Sequence, residues 1–134
     1  MIVFFDTNVH VALLRGSLSL ADILELADRS SIRLSPVVAS ELLRGARSAT
    51  RTVARLVDRL LPLEPPSWRR CWLETGRLLP RIFPHHEARG LASLQNDALI
   101  ALTARYTGAT LVTADDHFGA LREHVAFSLR LVAL

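Results

Sequence analysis

Lysine is absent from this chain of 134 residues, and all 16 of its basic residues are arginines. On the bland reading this is a compositional habit of the source genome. It still has a chemical consequence, because every mechanism that needs a lysine side chain is excluded. Cysteine is nearly absent as well. The single thiol, Cys71, forms neither an internal disulfide nor a multi-cysteine metal site, and nothing in its sequence context activates it. No uncharged run approaches the ~18 residues that a membrane-spanning helix needs. The apolar N-terminal run lacks a basic leader and is cut by Asp6, so no signal peptide is expected and the expected location is cytoplasmic.

What is present is a core-forming composition. Half of the residues are hydrophobic and 22% are charged, which excludes disorder and predicts one domain over residues 1–134. A net charge of +3 and a pI near 10.4 permit a nucleic-acid partner without requiring one.

The apolar runs IVFF (2–5) and TLVT (110–113) do not alternate, as expected of parallel strands covered on both faces. SIRLS (31–35) and FSLRLV (127–132) are two further predicted strands. Helical periodicity marks 20–27 behind a cap at Ser19, and Ser35–Pro36 reads as the cap and first position of the next helix. Residues 48–61 form an amphipathic pattern, with Ala49, Val53, Leu56, Val57, Leu60 and Leu61 on one face, ended by PLEPP (62–66). A helix is predicted from near Ser67, then a stretch broken by Pro80 and Pro84, then a helix opening at Asn96–Asp97 and closing at Gly108. The order β-α-α-β-α-α-α-α-β-α-β predicts a three-layer α/β/α sandwich around a mostly parallel sheet.

Ligands in such sheets bind beyond the carboxyl ends of the strands. Asp6 ends the first strand, and Asp115 follows TLVT through Ala114. Asp97 is expected at a helix start and Glu41 one turn into the helix after the second strand. Each has an ordinary explanation alone: an Asx turn at Asp6, a dipole contact at Asp97, turn roles for Asp115 and Asp116, an i+3 pair of Glu41 with Arg44. Together at one edge they would repel unless a cation stood among them. Without lysine that cation is an arginine or a metal ion, and an all-oxygen donor set suits Mg²⁺ or Mn²⁺.

DTN (6–8) after an apolar strand, Glu41 in SELLRG, NDALIALTA (96–104) and LVTADDHF (111–118) together resemble the PIN-domain ribonucleases, most of all the small bacterial VapC-type toxins. The resemblance spans nearly the whole chain. It implies that Asp6, Glu41, Asp97 and Asp115 bind a divalent metal, Mg²⁺ or Mn²⁺, and serve as the catalytic set for hydrolysis of RNA phosphodiesters. It implies supporting positions at Asn8, Thr113 and Asp116, a homodimer, and a small antitoxin that silences the toxin. The apolar residues Val11, Leu13, Leu14 and Leu24 are offered as the antitoxin's groove or, equally, as core.

Other features weigh less. Arg44, Arg47, Arg51, Arg55 and Arg59 would share one arc of a continuous helix, a track for RNA phosphates or a solvated face. His10 and His117 lie close in sequence to Asp6 and Asp115, though a metal–carboxylate scheme needs no histidine base. His85 and His86 are expected to be exposed, and Trp68 and Trp72 to be core or interface. A haloacid-dehalogenase-type phosphatase would need a second Asp where Asn8 stands, and a lysine. A receiver domain or a P-loop also needs a lysine. The remaining alternative is a PIN-like scaffold without turnover, which would be expected to have lost acids from the set.

Overall fold

The computed structural model describes residues 1–88 and 90–134; Arg89, in the expected broken stretch, lies outside them. The chain alternates β1 (Ile2–Phe5), α1 (Thr7–Leu14), α2 (Leu20–Ala27), β2 (Ser31–Leu34), α3 (Pro36–Gly45), α4 (Thr50–Arg59) and β3 (Leu61–Pro62). Then follow α5 (Trp68–Ile82), α6 (Leu91–Thr107), β4 (Thr110–Thr113), α7 (His117–Arg122) and β5 (Ser128–Leu131). Every strand pairing is parallel, in the order β3-β2-β1-β4-β5. The chain therefore changes direction across the sheet between β1 and β4. A crevice outside the carboxyl ends of the strands is expected there.

The alternation of side chains along β1 explains its lack of polar residues. Phe4 joins Leu111 in a large core with Val38, Leu42, Leu99, Leu102 and Phe118. Val3 and Phe5 join Val112 in a smaller core with Val9, Ile23 and Ala27. Successive side chains point to opposite faces of a strand, so both faces are covered, and the sandwich is as expected. Phe4 is fully buried, and truncating it to alanine should cost ~3–5 kcal/mol.

Local chemistry sets the helix starts. Ser19 and Asp22 form a reciprocal capping box at α2, with bonds of 2.8 and 3.1 Å. Ser35 accepts from the Val37 amide at 3.2 Å and Pro36 occupies the first position of α3.

Three expectations are corrected. The amphipathic helix runs 50–59 rather than 48–61, behind a short 3₁₀ turn at Arg47–Ala49. Leu61 leaves its expected apolar face and pairs with Arg33 in the two-residue strand β3, where it is exposed. Proline lacks the N–H that a central strand needs, and Pro62 is tolerated because β3 is a sheet edge. Second, α5 continues through Pro80 to Ile82. Only the last turn lies beyond that proline, so little helix is lost to it. Third, α6 starts at Leu91 behind Gly90, whose φ of 81° suits glycine, and so Asp97 stands well inside the helix. The dipole explanation for Asp97 falls with it, since that effect fades beyond the first turn. No helix among the described residues is long and apolar enough to cross a membrane.

Candidate functional site

The last residue of β1 hands the chain directly to α1. Asp6 caps that helix, its Oδ1 accepting from the Thr7 amide at 2.8 Å. Its Oδ2 accepts from the Thr113 hydroxyl at 2.8 Å and from the Asn8 amide at 3.3 Å. Thr113 ends β4 on the other side of the switch point. Its hydroxyl also accepts from Asn8 at 3.2 Å and from the Asp115 amide at 3.0 Å. The Asn8 carbonyl accepts from the Ala114 amide at 3.2 Å. One buried hydroxyl thus ties the tips of β1 and β4 together and sets the turn that carries Asp115.

Glu41 comes from α3, half-buried, and accepts from the Thr7 hydroxyl at 2.9 Å. Among the described residues no ion pair joins it to Arg44. Asp97 enters from α6, where small neighbours let that helix pack closely: Ala98, Ala101 and Ala104 are buried beside the sheet. Asp97 is itself buried, 7% exposed, and its carboxyl is pushed up to about 8. Burial is the first cause, and the charges of Asp6, Asp115 and Glu41 add to it in that order. Asp6 is also raised, chiefly by burial, against the hydrogen bonds from Thr113 and Thr7 that favour its charged form. No arginine pairs with any of these four carboxylates among the described residues.

The tightest grouping is Asp97, Asp115 and His117, whose donor atoms all lie within 4.8 Å of one another. His117 opens α7. Its amide donates to Asp115 Oδ1 at 2.9 Å, and its ring meets the edge of Phe83 at 6.2 Å between centroids. Asp6 and Glu41 are not part of that grouping, although their charges act on Asp97. A divalent ion among these oxygen donors would relieve the repulsion that adds to the effect of burial on Asp97.

Other expected residues fall outside the cluster. Asp116 is exposed at the cap position of α7 and makes no side-chain cap bond. His10 points into the smaller core, edge-on to Phe5, with its Nε2 unpartnered among the described residues and its pKa lowered to about 4 by burial. Arg44, Arg47 and Arg51 are exposed, but α3 and α4 are separate helices, so no continuous arc joins them. His86 is half-buried against the Phe83 carbonyl rather than exposed, while His85 is exposed. Trp68 packs on the core, Trp72 is half exposed, and Cys71 is buried with its thiol pushed up by burial. Of the four groove residues, Val11, Leu13 and Leu14 pack against the cores and Leu24 is exposed. Sequence reasoning quoted Thr7 within DTN but gave it no role, and so missed its hydrogen bond to Glu41. It set His117 aside because no base was needed, without considering it as a metal donor.

The PIN domain family model matches residues 3–123. No curated protein matches the chain. Among solved structures, VapBC2 from Rickettsia felis, bound to a DNA fragment from their promoter, aligns over 99% of this chain and 100% of that one. The identity is 23% and the TM-score 0.67. VapBC-1 from nontypeable Haemophilus influenzae covers 98% of both chains at 20% identity and a TM-score of 0.68. At such identities the likeness establishes the fold.

Proposed function

Because this chain belongs to the PIN domain family, we propose that it is a divalent-metal-dependent ribonuclease and the toxin of a toxin–antitoxin pair. The observation that carries the reading is the set of carboxylates without an arginine partner among the described residues at the β1/β4 switch point, where burial first and then the neighbouring acids push Asp97 up to about 8. Asp6, Glu41, Asp97 and Asp115 would hold Mg²⁺ or Mn²⁺. When bound, the metal lowers the pKa of a water and neutralises charge developing on the phosphoryl oxygens.

The chain's own residues supply the rest. Thr113 and Thr7 orient Asp6 and Glu41, and Asn8 steadies the turn before Asp115. One carboxylate accepts the proton of the attacking water. Hydrolysis breaks the P–O bond to one nucleotide and leaves a phosphate on the other. No covalent nucleophile is required, in keeping with a buried Cys71 and no lysine. Arg44, Arg47 and Arg51 are proposed as outlying phosphate contacts. Asp116 is given no part beyond its turn.

The likeness to the two VapBC structures supports a small antitoxin as partner, and a homodimer is proposed with it. Leu20 and Leu24, both exposed on α2, are the apolar surface offered to either. The test is incubation of the purified protein with mixed RNA and Mn²⁺ or Mg²⁺, with EDTA and Asp97→Asn as controls. Metal-dependent cutting lost in the variant is expected. Cutting that survives both EDTA and the substitution refutes the assignment.

A further inference from the structure

We infer that His117 is a nitrogen ligand of the metal centre and biases it toward Mn²⁺ over Mg²⁺; this rests on the metal-dependent reading above. The geometry separates this role from two simpler ones. As a hydrogen-bond partner of Asp115, the ring is too far away. His117 Nδ1 stands 3.6 Å from Asp115 Oδ1, whereas good N–H···O bonds have modes near ~2.9–3.0 Å. As a helix cap, the ring is unnecessary, because the backbone amide of His117 already makes that bond to Asp115 Oδ1 at 2.9 Å. Among the described residues the ring's contacts are this 3.6 Å approach to Asp115, an ion pair when the imidazole is protonated, and the edge of Phe83, and neither uses a ring nitrogen in a hydrogen bond.

Its placement puts a ring nitrogen within reach of an ion shared with Asp97 and Asp115. Two donors about 2.1 Å from one octahedral ion stand about 3.0 Å apart when adjacent and about 4.2 Å apart when opposite. The donor atoms of Asp97, Asp115 and His117 all fall within 4.8 Å of one another. They reach that spot from two elements, α6 and the turn into α7, and Phe83 from the end of α5 supports the ring edge-on. The His117 side chain is 57% exposed, so it reaches an ion from the solvent side while Asp97 reaches it from the protein side.

Chemistry then gives the selectivity. Mg²⁺ prefers oxygen donors and keeps its waters, whereas Mn²⁺, as a first-row transition ion, accepts an imidazole nitrogen more readily, although it stands at the weak end of the Irving–Williams order and later metals would gain more. Removing the imidazole should weaken Mn²⁺ binding by at least ~10-fold, in line with other losses near a metal, and change Mg²⁺ binding by less than ~2-fold.

The test uses Mn²⁺ alone, without RNA. Electron spin echo modulation detects nitrogen coordinated to Mn²⁺, and calorimetry gives the affinities for Mn²⁺ and Mg²⁺. Nitrogen coupling in the wild type that disappears in His117→Ala, with a selective loss of Mn²⁺ affinity, is expected. His117→Gln keeps a polar side chain at the same exposed position and should likewise lack the nitrogen signal while still binding Mg²⁺. Bound Mn²⁺ with no nitrogen coupling, or coupling that persists in His117→Ala, overturns the inference and leaves the metal-dependent reading intact. A wild type that binds no Mn²⁺ overturns both.

Discussion

Two groups of like charge lie at different places on this fold and are handled in opposite ways. At the carboxyl edge of the sheet, Asp6 and Asp97 are buried beside Asp115 and Glu41, and no arginine among the described residues neutralises them. In the cleft of about 560 Å³ between α5 and the end of α6, the charges are cationic. Arg70, Arg77, Arg81 and Arg105 line it, all exposed to solvent. Arg70 pairs with Glu74 at 3.1 Å and lies 4.5 Å over the Tyr106 ring, and Arg105 donates to the Ala126 carbonyl at 3.1 Å. Water screens the arginines, so their mutual repulsion costs little. Asp6 and Asp97 are buried and have little such screening, while Glu41 and Asp115 are only partly covered. Buried acids without a cationic partner among the described residues keep a proton on Asp97 near neutral pH, whereas exposed charge of one sign is compatible with ordinary solvation.

The largest expected effect breaks the acid group. Asp97→Asn should lower metal-dependent RNA cleavage by at least ~10³-fold, since a metal's charge stabilisation is worth several kcal/mol and ~1.4 kcal/mol is tenfold; single-turnover rates check it. The same variant should make the metal-free protein more stable at pH 8, by at least ~2 kcal/mol. The sign follows from linkage. The folded pKa of Asp97 is raised from 3.8 to about 8, so the folded state holds a proton that the unfolded state releases. Wild-type stability therefore falls as pH rises through that window and levels off above it, and the asparagine variant, with no carboxyl to titrate, lacks the decline. Denaturant melts at pH 5 and pH 8 read the difference.

Thr113→Val comes next. It removes the donor to Asp6 and the acceptor for the Asp115 amide, at a cost of ~1–3 kcal/mol. Guanidinium unfolding checks the stability, and a weakened Mn²⁺ affinity should accompany it. His10→Phe acts elsewhere. With its pKa lowered to about 4 from 6.5, the buried imidazole stays neutral while the unfolded one gains a proton as pH falls. Wild-type stability is then lost between about pH 6.5 and 4, by up to ~3 kcal/mol, and the phenylalanine variant should flatten that limb. Smallest of all, Arg77→Ala in the cationic cleft should change stability by less than ~0.5 kcal/mol, checked by thermal melting. A larger loss would mean that the cleft is a structural ion network.

Much of this was legible because the decisive patterns are local. Residues 2–5 and 110–113 declare themselves as doubly covered strands by their unbroken apolar runs, and Ser19 and Ser35 declare their helices by capping chemistry. The convergence of Asp6 and Asp115 follows from strand order, as both lie just past a carboxyl end. What was not legible depends on pairing or on backbone freedom. Leu61–Pro62 becomes a strand only because Arg33–Leu34 offers an edge. The early start of α6 depends on Gly90 adopting a left-handed conformation, which spacing alone does not reveal. His117 was underrated for a similar reason: its ring comes near Asp97 only through the packing of α6 against α7 and Phe83.

The most direct test of the proposed metal centre is calorimetric titration of the purified protein with Mn²⁺, wild type beside Asp97→Asn. The account predicts saturable binding in the wild type, with proton release that grows as pH drops below about 8, and its loss in the variant. Absence of binding by the folded wild type, or unchanged binding by the variant, would contradict it.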